Sequence, residues 1–364
     1  MKALILAGGF ATRLRPLSCT RPKQLFPIVN KPLLDWVIEN LERNGVKEIV
    51  VAVNYMADAL RNYYEKKQTK ATIIFSLENR PLGTAGPIKN AEPNLKGKEP
   101  FFVINGDILS NMNLRKMKNA HDRIPGPATI ALRRVDDASR FGVVDLDEEK
   151  YIRRFVEKPK GENRNRLINA GAYILSQEIF DLIPEENRKI SIEREIFPIL
   201  AKEGKLRGYI TEGLWMDIGT HPDYLQANFA LLKMPGKKNS IGRNVKISPN
   251  AKIVEPVAIG DEVVVNEGAK IGPLTVVGDN SEIDEGCSIE RSVLFPRCLI
   301  ESSTSIKEAI IGEGTVIGRR VKIGEQSVIG DHCEILDDVI LNKNVKVCPS
   351  KEVGENVLES CHIM

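Results

Sequence analysis

Gly8 and Gly9 stand directly after the apolar run of residues 4–7 and are followed by Phe10-Ala11-Thr12-Arg13-Leu14-Arg15-Pro16. Glycines at the C-terminal end of a strand let backbone amides approach phosphate oxygens, and in open α/β sheets ligands gather at that edge. A glycine pair there serves equally as a plain turn. The loop is neither a dinucleotide fingerprint nor a Walker loop, since it lacks the Gly-Lys-Ser/Thr ending and an acidic residue at dinucleotide spacing. The basic residues that follow add weight to a phosphate role. Arg13 can grip phosphate oxygens bidentately, and Lys23, within Arg21-Pro22-Lys23, supplies a compact charge on a proline-stiffened segment. Arg15 and Arg21 read as solvated surface charge. Two aspartates could hold a cation or merely close turns: Asp107, after the apolar run 101–104, and Asp217, set among apolar neighbours in Trp215-Met216-Asp217-Ile218-Gly219. Glu157-Lys158 is a further charged pair, which on a surface would be an ordinary ion pair.

The elements that must position these residues alternate in type. Residues 4–7, 49–53, 73–77 and 101–104 read as buried strands, with helical patterns at 33–41 and 57–64 between them. Such alternation predicts a mostly parallel, Rossmann-like sheet with helices on both faces. Strands near 128–135, 142–147, 152–157 and 172–175 have less helix between them, which makes the later sheet mixed. Helices are expected at 192–202, opened by Ser191, and at 223–232, with Thr220 and Pro222 as start signals. Residues 235–239 have the composition of a linker.

Beyond the linker the period changes. Ile241, Ile247, Ile253, Ile259, Val265, Ile271, Val277, Ile283 and Ile289 recur six apart, with a small or β-branched residue four positions after each. Neither a helix nor a single strand has that period; a solenoid of hexapeptides does, with both slots pointing inward. The pattern slips after Ile289 and resumes at Ile311 with its phase shifted by four, attributed to a bulged coil between residues 295 and 306. The expected fold class is therefore a mixed α/β domain, residues 1–235, followed by a left-handed parallel β-helix, residues 240–364.

Composition narrows the partners. The 364 residues include 52 basic and 49 acidic ones, with no long run of like charge to suggest a nucleic-acid or membrane surface. Six cysteines show no C-x-x-C spacing, and two, Cys287 and Cys333, occupy the small inward slot of the solenoid. A reduced, cytoplasmic protein acting on small molecules is expected.

Taken with Pro22-Lys23, the string Gly8-Gly9-x-x-Thr12-Arg13-Leu14-x-Pro16-Leu17 resembles the signature of the sugar-1-phosphate nucleotidyltransferases. The likeness continues in order through Leu82-Gly83-Thr84-Ala85-Gly86-Pro87, Phe155-Val156-Glu157-Lys158-Pro159, Asn169-Ala170-Gly171 and the segment around Asp217. It implies transfer of a nucleoside monophosphate from an NTP to a sugar 1-phosphate with release of pyrophosphate. It also implies that Asp107 and Asp217 hold Mg2+, that Arg13 and Lys23 serve the triphosphate, and that Lys158 binds the sugar phosphate. Glu157, Asn169 and the Gly142 backbone would receive the hexose. Leu6, Ala7, Gly8, Gly9, Ala11, Thr12, Gly83 and Thr84 would line the nucleotide. Ala11 departs from the family's usual glycine, which would be strained if the loop needs φ > 0. Glu78 could accept the N1–H and N2–H donors of guanine, while Gln24 resembles a residue of thymidylyltransferases. The motifs at 82–87, 191–193, 197–199 and 215–219 are most similar to the branch that joins GTP to mannose 1-phosphate; thymidylyl and uridylyl transfer, and a non-catalytic regulatory subunit, stand as alternatives. The solenoid is expected to pair chains into a homo-oligomer.

Overall fold

The computed structural model describes residues 1–159, 164–186, 188–234 and 239–363; residues 235–238, most of the expected linker, lie outside them. The chain packs as two units. One comprises Met1–Phe10 with Leu34–Asp217, the other Ala11–Leu33 with residues 218–363. By packing, the signature segment 11–33 and the helix before the linker group with the solenoid.

In the first unit, β1 (Lys2–Leu6) pairs in parallel with β4 (Glu48–Val53) and β6 (Phe101–Asn105), and β4 with β5 (Thr72–Leu77). Helix α1 (Leu33–Arg43) follows from its sequence: Leu33, Leu34, Val37, Ile38 and Leu41 fall on one face and are buried. It ends at Gly45, whose φ of 88° suits the left-handed residue that closes a helix. Helix α2 (Ala57–Glu65) connects β4 to β5. Further on antiparallel pairings enter and the sheet becomes mixed, as the scarcity of helix in that stretch predicts. β8 (Ala128–Asp137), β9 (Gly142–Leu146), β10 (Ile152–Glu157) and β11 (Arg164–Leu175) extend it in the order β10-β9-β11-β6-β1-β4-β5, with β8 against β11 and β12 (Leu206–Ile210) against β8. Outside this sheet, β7 (Ile108–Ser110) pairs with β13 (Trp215–Asp217). The stretch expected as one helix at 192–202 is a π-helical turn, Ile192–Ile196, running into a short α-helix, Phe197–Lys202. Pro198 supplies no N–H, which disfavours a continuous α ladder there, and Ser191 caps the turn as expected.

The second unit contains the small hairpin β2 (Pro27–Ile28) and β3 (Lys31–Pro32), the helix His221–Leu232 capped by Thr220, and the β-helix. Its coils form three parallel sheets of eight, seven and six strands. Early coils repeat every 18 residues, as in Val257 against Thr275. Middle coils repeat every 17, as in Val276 against Val293 and Val293 against Ile310. The phase slip is therefore no bulge. Two steps, Ile289 to Leu294 and Ile306 to Ile311, have five residues instead of six, and both fall at the same corner of the coil. All four side chains remain fully buried, so the shortening is taken up by the turn while the stack stays continuous. Each contributes about 1.5–3 kcal/mol by leaving water. Cys287, Cys298 and Cys333 are packed in this interior as free thiols. No helix among the described residues is long and apolar enough to cross a membrane.

Candidate active site

In the first unit Leu6 to Gly9, Glu78 and Asp107 lie at the C-terminal ends of the parallel strands β1, β5 and β6, while Gly142, Glu157 and Asn169 lie on the antiparallel strands β9, β10 and β11. Leu6 ends β1 opposite Asn105 of β6, and Gly106 donates its N–H to the Leu6 carbonyl at 2.9 Å. A Cβ on Gly106 would lie 2.9 Å from that oxygen, so only glycine lets β6 deliver Asp107 beside the start of the glycine loop. Ala7 is buried and donates to Ala52, fixing the exit direction of the chain, and Gly8 and Gly9 follow.

The fold brings the two aspartate positions close in register: Asp217 is paired across strands with Ile108, the residue next to Asp107. Arg140 reaches Asp217 at 3.3 Å. No cluster of three or more His, Cys, Asp or Glu that could hold a metal occurs among the described residues. Hard carboxylates such as these two would suit a divalent cation that also takes phosphate oxygens and water.

Glu78 is the most informative of the residues expected to meet the nucleotide. It is 8 % exposed, and burial pushes its carboxyl above the ordinary glutamate range, a shift opposed by the Leu82 amide. Oε2 accepts that N–H at 3.1 Å, while Oε1 lies 2.9 Å from where a Gly8 Cβ would stand. The carboxylate and the glycine thus share one space. The Leu82 contact leads to Gly83, which has a φ of 89° and would place a Cβ 2.3 Å from the Ile190 carbonyl. That carbonyl accepts from the Thr84 and Ala85 amides, which fixes the turn.

Among the residues expected to meet the sugar, Gly142 faces Glu157 across the β9–β10 ladder, and a Gly142 Cβ would sit 2.7 Å from Glu157 Oε2. Burial raises the Glu157 carboxyl, Lys158 opposes the rise and Glu193 adds to it. Lys158 takes a left-handed conformation with φ 49°, and its side chain is 58 % exposed, with the ammonium 3.5 Å from Glu157. Asn169 stands at an irregularity in β11 made possible by Gly171, φ 67°. Its amide donates to the Tyr173 hydroxyl at 2.9 Å and its oxygen accepts the Gly171 N–H.

Glu193 was not singled out for a role by sequence, yet it joins these two groups of residues. Its carboxylate accepts from the Thr84 and Ser191 hydroxyls and, at 3.4 Å, from Tyr173, which itself receives Asn169. The hint was the Ser191-Ile192-Glu193 string; its hydroxyl partners, over one hundred residues away for Thr84, are visible only in the fold. Arg140 was missed for the same reason.

Ala11, Thr12, Arg13 and Lys23 belong to the second unit. Ala11 adopts φ 48° and ψ 39°, the left-handed conformation whose strain the substitution for glycine implies. Thr12 opens a short 3-10 turn carrying Arg13, and Arg13 lines a cavity of about 300 Å³ with Thr220, His221, Gln226 and Lys346. Lys23 is buried in a second such turn, and so is Gln24. Arg21 corrects the expectation of a solvated charge: its side chain is only 18 % exposed and pairs with Glu313 and Asp331 of the β-helix.

Known proteins resemble this chain in sequence and in fold. Residues 2–234 match the nucleotidyl transferase family and residues 253–363 the GMPPB C-terminal domain. Mannose-1-phosphate guanyltransferases of Debaryomyces hansenii and Saccharomyces cerevisiae are each 40% identical, over 378 and 371 residues, covering 100% of this chain and of theirs. Among solved structures, HddC from Yersinia pseudotuberculosis complexed with GMP-PN superimposes with a TM-score of 0.55 at 32% identity, covering 63% of this chain and 99% of that one. A UDP-glucose pyrophosphorylase complexed with UDP-glucose gives 0.56 at 26%, covering 64% and 98%. With that family model spanning residues 2–234 and full-length relatives at 40% identity, the chain belongs to the nucleotidyl transferase family.

Proposed function

We propose that this protein is a mannose-1-phosphate guanylyltransferase, converting GTP and mannose 1-phosphate to GDP-mannose and pyrophosphate. The observation that carries this choice of base is the buried Glu78 carboxylate against Gly8, supported by full-length likeness to enzymes of that name. Guanine offers adjacent N1–H and N2–H donors that a carboxylate accepts together, whereas thymine and uracil offer one donor between two carbonyls.

In the reaction an oxygen of the sugar phosphate forms a bond to the α-phosphorus of GTP, and the bond from that phosphorus to the bridging oxygen of pyrophosphate breaks. The attacking phosphate needs no proton removed, so positioning and charge neutralisation are the protein's tasks. Lys158, exposed at the end of β10, would receive the sugar phosphate. Glu157, Asn169 and the Gly142 backbone would receive the hexose hydroxyls, and Arg13 and Lys23 would serve the triphosphate. Asp107 and Asp217 would hold Mg2+, which when bound draws the phosphates together and offsets their repulsion. Cytoplasmic location and self-association through the β-helix complete the proposal; the exposed Ile241, Leu336 and Leu358 on that domain are apolar positions suited to a second copy.

The test is a panel of GTP, dTTP, UTP and ATP against mannose 1-phosphate and glucose 1-phosphate, with products separated chromatographically. GTP with mannose 1-phosphate should give the highest kcat/KM by at least tenfold; a higher value for dTTP or UTP with glucose 1-phosphate would overturn the proposal.

A further inference from the structure

Segment Ala11–Leu33 carries Arg13 and Lys23, yet it packs with the β-helix. The fastening is concentrated at Arg21, two residues before Lys23. Its Nη2 lies 2.5 Å from Glu313 Oε2 and 2.6 Å from Asp331 Oδ2, and its guanidinium stacks 5.1 Å from the Phe295 ring centre. Thr20 donates to the same Asp331 oxygen at 2.6 Å, while Oδ1 accepts the Glu313 amide. Asp331 is 1 % exposed. Further along, Phe26 meets Phe295 and Tyr224 edge-on, Asn30 donates to the Val277 carbonyl, and the Val29 amide donates to the fully buried Asn228.

A carboxylate as enclosed as Asp331 is costly unless matched by a cation and hydrogen bonds. Here the matching groups come from the signature segment. The requirement is mutual: satisfying Asp331 confines Thr20 and Arg21, and through Pro22 it confines Lys23. Arg13 is held at the other end of the same stretch, where Ser18 donates to the Ala11 carbonyl at 2.8 Å.

We infer that Arg21 is a positioning residue for nucleotidyl transfer, and that the β-helix, through Asp331 and Glu313, sets the placement of the Arg13 and Lys23 cations. The solenoid is thereby part of the catalytic apparatus as well as a surface for association. This rests on the reading that Arg13 and Lys23 serve the triphosphate.

The experiment uses the full-length chain and compares Arg21→Ala, Arg21→Lys and the double variant Arg21→Ala/Asp331→Asn. Arg21→Ala should lower kcat ten- to a hundredfold while KM for mannose 1-phosphate, whose expected pocket is built from the other unit, stays within about threefold. Arg21→Lys should recover part of the loss, because an ammonium keeps the charge but cannot bridge both carboxylates and stack on Phe295 together. The double variant no longer strands a buried charge, so it should melt near the parent temperature yet remain slow; this keeps the test decisive if Arg21→Ala alone does not fold. A folded double variant with parental kcat, or an Arg21→Ala enzyme within twofold of it, would overturn the inference. Arg13→Ala separates the two levels: if it turns over normally the reading of the triphosphate site fails, whereas a dead Arg13→Ala beside a normal Arg21→Ala sinks only the positioning role.

Discussion

Replacing Glu78 by Gln keeps size and shape and removes a charge. The Leu82 amide can still be satisfied by the amide oxygen, replacing its present bond to Oε2 at 3.1 Å, so the Gly83 turn should persist. What is lost is the carboxylate facing Gly8, where an N–H₂ group would then point at the guanine donors. Hydrogen bonds to a charged group contribute about 1.5–3 kcal/mol each, and an enclosed donor left without an acceptor costs a similar amount. Losing one net interaction of that size lowers kcat/KM for GTP by roughly ten- to a hundredfold. The assay is steady-state kinetics with GTP and with inosine triphosphate, which lacks the N2 amine. The parent should prefer GTP, and Glu78→Gln should shrink that preference toward unity. Acid should act similarly on the parent: burial raises the Glu78 carboxyl above its ordinary 4.5, so as pH falls through the raised value the carboxylate is neutralised and KM for GTP rises. In Glu78→Gln this component should vanish. An unchanged GTP-to-inosine-triphosphate ratio in Glu78→Gln would refute the base-reading argument.

Further outcomes follow from the same geometry. Ala11→Gly relieves a left-handed alanine worth about 1–2 kcal/mol of strain, offset by about 0.5–1 kcal/mol of extra freedom in the unfolded chain; urea denaturation should show a net gain of about 0.5–1 kcal/mol, and a lower midpoint would contradict it. Glu157, also raised by burial, accepts hydroxyls best when ionised, so KM for mannose 1-phosphate should climb on acidification, a climb absent in Glu157→Gln. His221 is buried and held neutral, its imidazolium form disfavoured so that its pKa falls from 6.5 to about 4. Between those values the unfolded chain binds a proton that the folded one refuses, so stability drops on acidification by up to roughly 3 kcal/mol; a His221→Gln chain with the parental acid slope would exclude this group as the cause. Asp217→Asn should weaken the divalent-metal dependence of turnover at least tenfold, and an unchanged metal titration would remove Asp217 from the site.

Local chemistry made much of this protein legible in one dimension. Glycines after a strand, an aliphatic period of six and the serine and threonine caps each reflect a constraint acting within a few residues, so strands, helices and solenoid were readable from the chain. The left-handed strain at Ala11 was implied by the resemblance, because alanine stands where the family usually has glycine. Partnerships across distance were not readable in that way. Glu193 acquires the Thr84 and Tyr173 hydroxyls from segments distant in sequence, the Asp107 and Asp217 positions come close in register only because two short strands pair, and the shortened solenoid steps show themselves only when coils stack in register. Arg21 is the sharpest case. By composition it is a surface charge, and it becomes a half-buried clamp because the fold sets Glu313 and the buried Asp331 against it; charge pairing depends on desolvation and direction, and both are properties of the folded chain.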